Sequence, residues 1–100
     1  MIMPMKISEF KTGVINRIRE KFEVKERMGG HVYYEVWHQG KKIKETHHSH
    51  GRKEISDRVL GAIKRQLNLN TTQQLDDLKN CSMSAEDYLD LLKQKHVIGD

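Results

Sequence analysis

The sequence predicts an α+β domain of order α-β-β-β-α, followed by a helical C-terminal extension. Two observations carry this. Between residues 22 and 47, apolar and polar side chains alternate with the period of two of half-buried strands, broken at Gly29-Gly30 and Gln39-Gly40. On either side, apolar residues recur every three or four positions, as on a helix with one buried face.

The elements follow in order. Ser8 can cap a helix from about Glu9 to Lys21, on which Phe10, Val14, Ile18 and Phe22 make one apolar stripe with Ile15 beside it. Phe22, Val24, Glu26 and Met28 then alternate with Glu23, Lys25 and Arg27 along a first strand. A second strand, His31 to His38, is rich in strand formers. Val32, Tyr34 and Val36 share one of its faces, and His31, Tyr33, Glu35 and Trp37 the other. In a third strand, Lys41 to His47, Lys42, Lys44 and Thr46 alternate with Ile43, Glu45 and His47. A polar connector from Ser49 to Lys53 leads to a helix capped by Ser56, with Val59, Leu60, Ile63 and Leu67 on its buried face and Asn68 as its stop. Ile55, just before that cap, suits a hydrophobic staple onto Leu60. Two more helices are expected, one begun near Thr72 and one capped by Ser84, with Asp87 completing a capping box. Residues 1–70 thus form the α+β domain, and residues 71–100 a helical extension packed on or beside it.

Charge is unevenly spread. Residues 1–70 carry 15 Lys/Arg against 8 Asp/Glu, and residues 71–100 carry 3 against 6. A basic body with an acidic extension points to a polyanionic partner. With 36% hydrophobic residues in 100, the core is modest, so a homodimer or a covering partner is plausible. One cysteine, Cys81, rules out an internal disulfide framework and fits a reducing, cytoplasmic setting. The apolar start, Met1 to Met5, is too short for a signal sequence or a membrane span.

Five of the six histidines lie between residues 31 and 50. If the second and third strands pair antiparallel, His31 and the run His47 to His50 meet at one edge of the sheet. Three readings fit these residues. An imidazole can serve as general acid or base for RNA cleavage, with His31, His50, Arg52 and Lys53 supplying proton carriers and cations. His48, His50 and His31 can instead gather a divalent metal, although no Asp, Glu or Cys completes a known motif. Or His47 and His48 are polar surface residues at a strand end. Lys41, Lys42, Lys44, Arg52 and Lys53 suit phosphates, or the protection of an edge strand. Tyr33 and Trp37 can stack on unpaired bases or belong to the core.

Gly29-Gly30-His31-Val32-Tyr33-Tyr34 is similar to the Gly-Ser-His-x-x-aromatic segment of the HicA-like (YcfA-type) mRNA interferase toxins. His50-Gly51-Arg52-Lys53-Glu54-Ile55, with Leu60, Ile63, Gln66, Leu67 and Leu69 after it, resembles that family's His, basic loop and Leu-x-x-Ile helix. The resemblance covers residues 8–69. It implies a double-stranded-RNA-binding-domain-like fold, with a three-stranded antiparallel sheet and helices on one face. It further implies metal-independent mRNA cleavage with His31 at the catalytic position, and a HicB-like antitoxin that occludes that histidine. Gly30 stands where the family carries serine, and residues 71–100 have no counterpart in it.

The expected function is therefore an RNA-binding ribonuclease of this toxin type. His31 is catalytic. His50 is a second proton carrier or a phosphate contact. Lys42, Lys44, Arg52, Lys53 and Tyr33 hold RNA, and no metal or cofactor is needed. The alternatives are a non-catalytic nucleic-acid-binding module of the same fold, or an interaction protein assembling through its C-terminal helices.

Overall fold

The computed structural model describes residues 5–51 and 53–99. The N-terminal helix, residues 7–18, is continuous but not uniform. α1 (Ile7–Glu9) widens into a π-helical segment (Phe10–Ile15) before α2 (Asn16–Ile18). The wider turn lets Val14 and Ile15 join Phe10 and Ile18 in the interior. The expected Ser8 cap is replaced by one two residues earlier: the Glu9 carboxylate accepts from the Lys6 backbone N–H at 3.0 Å, while the Ser8 carbonyl accepts from the Thr12 hydroxyl at 2.7 Å.

β2 (Glu23–Met28), β3 (Val32–His38) and β4 (Lys41–His48) form a three-stranded antiparallel sheet in that order. Alternation decides its faces. Val32, Tyr34 and Val36 of β3 are buried, as are Thr46 and His48 of β4. Val24 of β2 is half-buried, but Met28, beside the Gly29-Gly30 turn, is exposed, so the apolar alternation expected along β2 fades at its end. The connector after β4 holds a strand too short to show a period. β5 (Glu54–Ile55) pairs antiparallel with β1 (Met5–Lys6), placing Met5 opposite Ile55.

The expected face assignment on β4 holds only for part of the strand. Val36 faces Lys44 but Trp37 faces Lys42, so Ile43 is an extra residue in a bulge. A one-residue slip moves every later side chain to the opposite face. Lys44 stays with the helix-covered face, whereas Lys42 joins Trp37 on the open one.

α3 (Asp57–Gln66) begins at Ser56, whose hydroxyl accepts from the Val59 backbone N–H, and it buries Leu60 and Ile63. Asn68, just past it, takes a left-handed φ of 62°, which asparagine tolerates better than most residues. α4 (Gln73–Lys79) buries Leu75 and Leu78 against the π-helical segment. α5 (Ala85–Gln94) starts with the predicted Ser84–Asp87 capping box and buries Tyr88, Leu91 and Leu92. These side chains belong to the same apolar cluster as Phe10, Tyr34 and Leu60. The architecture is thus α+β, one sheet face being covered by helices.

Candidate histidine site on the open sheet face

The register places Tyr33 opposite His47 and Val32 opposite His48. The start of β3 and the end of β4 therefore lie side by side, and residue parity sorts their histidines. His47 shares the open face with Tyr33, and His48 is carried inward with Val32. On the open side three rings meet: the His31 and His47 centroids are 5.0 Å apart, Tyr33 and His47 5.4 Å, and His31 and Tyr33 6.0 Å. All three side chains are half-buried.

Farther along the same face is a group of alternating charges. Glu35 and Glu45 are directly opposite each other, a repulsive arrangement by itself. Arg27 and Lys42 offset it: Arg27 contacts Glu35 at 3.4 Å and Glu45 at 3.3 Å, and Lys42 contacts Glu45 at 2.7 Å and Glu35 at 3.7 Å. The indole N–H of Trp37, together with Lys42 and Arg27, holds the Glu35 carboxyl below its ordinary range, and Lys42 does the same for Glu45. Glu45 in turn raises the Lys42 ammonium. Cations also cover the aromatic rings, with Lys25 Nζ 3.9 Å from the Trp37 ring and the Arg27 guanidinium 4.3 Å from that of Tyr33.

His48 is buried and fully engaged. A carbonyl oxygen only accepts, so the 3.0 Å contact to Ser49 O makes Nδ1 a donor, and Nε2 must then accept from the Tyr34 hydroxyl at 2.9 Å. Burial pushes the Tyr34 phenol up to about 12, which keeps it a donor. His48 is therefore neither the surface residue nor the metal ligand that its sequence position suggested. Among the described residues, no three His, Cys, Asp or Glu side chains converge on a point that would hold a metal ion.

The other predicted residues are distributed as follows. His50 is exposed, and its Nε2 donates to the Gly29 carbonyl at 3.1 Å, tying the connector to the turn that carries His31. Tyr33 lies at the centre of the ring group. Lys42 faces Trp37, five residues beyond Val32; at about 3.4 Å per residue that is roughly 17 Å from the histidines. Lys44 is half-buried on the helix side, in a shallow recess with Lys42, Ile43, Glu45 and Gln66. Lys53 is exposed beside the β1–β5 pair, its carbonyl accepting from the Ile7 N–H at 2.9 Å. Arg52 lies outside the described residues. Sequence reasoning gave His47 only as a polar residue at the strand end and assigned Arg27 no role, although both are cross-strand neighbours of Tyr33 on the open face.

No family model matches the chain, and no curated protein or solved structure matches it. No helix among the described residues is long and apolar enough to cross a membrane.

Proposed function

We propose that this protein binds RNA and cleaves it by histidine acid/base chemistry, as its resemblance to the HicA-like ribonucleases implies. The observation that carries the reading is the β3–β4 register, which brings His31 beside His47 near the end of β4, on the face that no helix among the described residues covers. A general base must be reachable by substrate yet held in orientation. His31 meets both needs, being half-buried against Tyr33 and His47. Lys53 is exposed, forms no ion pair among the described residues and is the cation suited to the RNA backbone, whereas Lys44 lies on the helix-covered face, away from His31. Lys42 reaches RNA only in competition with Glu35 and Glu45. On this reading Arg52 is a further backbone contact, and an inhibitory partner of HicB type covers the open face.

The test is incubation of the full chain with messenger RNA in EDTA, comparing His31→Ala. Removing a general acid or base lowers the rate by about 10²–10⁴-fold. Cleavage that survives EDTA and is lost in the variant supports the reading. RNA binding without cleavage replaces it with a non-catalytic RNA-binding module, for which the slope of log affinity against log salt falls by about one in Lys53→Gln.

A further inference from the structure

We infer that His47 is the second proton-carrying catalytic residue of the open-face site, acting with His31. The inference rests on the ribonuclease reading above and names a partner for His31 different from the one the sequence suggested.

Hydrogen bonding separates the histidines. Both ring nitrogens of His48 are engaged in the interior, and Nε2 of His50 holds the Gly29 carbonyl. His38 packs on Phe22, with ring centroids 5.3 Å apart, at the far end of the sheet. His96 follows α5. His31 and His47 remain: among the described residues no hydrogen bond occupies their ring nitrogens, and their centroids are 5.0 Å apart with planes at 74°. At that angle the rings meet edge to face rather than stacked, and at 5.0 Å both imidazoles lie within the span of one phosphodiester. His47 is held in place by a chain of contacts. Its ring lies at 39° to Tyr33, Arg27 lies over Tyr33, and Arg27 is fixed by Glu35 and Glu45.

Cleavage within RNA needs two proton transfers. The neutral imidazole of the pair takes the proton from a ribose 2′-hydroxyl, and the 2′-oxygen forms a bond to phosphorus. The bond from phosphorus to the 5′-oxygen breaks, and the protonated imidazole gives its proton to that oxygen. The products are a 2′,3′-cyclic phosphate and a free 5′-hydroxyl. The pair ends with its protonation states exchanged, and no oxidant, reductant or co-reactant is consumed. Each nitrogen must come within about 2.6–3.2 Å of the oxygen it serves, which two adjacent imidazoles on one open face allow.

The experiment compares wild type, His31→Gln and His47→Gln on messenger RNA in EDTA across pH. It is repeated on a nucleoside 3′-(4-nitrophenyl phosphate), whose leaving group needs no protonation. Each substitution is expected to slow RNA cleavage by about 10²–10⁴-fold. The wild-type rate falls on both sides of an optimum, and each variant loses one limb of that profile. One variant, the one lacking the acid, regains most of its rate on the aryl ester. A merely structural role for His47 would slow both substrates together and leave both limbs in place, and that result overturns the inference. A His47→Gln rate within about threefold of wild type, with His31→Gln inactive, also overturns it while leaving the ribonuclease reading intact. A wild-type protein that cleaves no RNA ends both.

Discussion

Gly13 faces Lys79 where the N-terminal helix crosses α4. A Cβ on Gly13 would lie 2.6 Å from Lys79 Cγ and 3.1 Å from its Cα. The absent side chain is what allows the two helices to pack this closely. Gly13→Ala gains about 0.5–1 kcal/mol of helix propensity but forces backbone apart, at a cost of about 1–3 kcal/mol. The expected result is a net loss of about 1–2 kcal/mol, read as a lower urea midpoint with unchanged slope. A variant as stable as wild type would show that the crossing has slack.

The Tyr34 hydroxyl is the partner of His48 Nε2 within the core. Tyr34→Phe leaves that nitrogen buried without a donor, a loss of about 1–3 kcal/mol. Chemical denaturation measures it. No change would mean that water replaces the hydroxyl.

Alkaline pH acts on the same residue. Burial raises the Tyr34 phenol from 10.0 to about 12, and burial raises that of Tyr88 as well. A phenol that resists ionisation in the folded chain contributes stability that is complete below about pH 10 and disappears as pH rises through about 12. Stability is therefore expected to fall across that interval, with phenolate absorbance lagging behind that of the unfolded chain. Coincident titrations of the two states would contradict the burial.

Ser84 and Asp87 satisfy each other's backbone N–H groups at 3.0 Å and 2.9 Å at the start of α5. Ser84→Ala is expected to cost about 0.5–2 kcal/mol. Since Tyr88 and Leu92 anchor α5 in the common core, the loss should appear in the global unfolding transition. A local change in hydrogen exchange confined to α5, with global stability intact, would contradict that coupling.

The chain shows some of these features openly and conceals others. Ser56, Ser84 with Asp87, and the alternation through Val32, Tyr34 and Val36 are short-range signals, and each marks the element it occupies. The β1–β5 pair was hidden because two residues cannot display a period and their partners are about fifty positions apart. The π-helical turn was hidden because Phe10, Val14 and Ile18 also satisfy an ordinary helical spacing. The bulge at Ile43 leaves no mark in composition, yet it sends Lys42 to the open face and into the Glu35–Glu45 cluster. For the site, parity alone separated open-face His47 from buried His48. Which histidine kept its nitrogens unengaged depended on Tyr34, Ser49 and Gly29, each brought into place by the fold.

The end of α3 is completed from far downstream. Tyr88 donates its hydroxyl to the Leu67 carbonyl at 2.8 Å, and Lys95 donates to that of Asn68 at 2.7 Å. Terminal helical carbonyls left bare in an interior are costly. A chain cut before α5 would leave the Leu67 carbonyl without its donor and Phe22 without the Tyr88 ring against it, so the strands and α3 depend on the last helix to complete their packing.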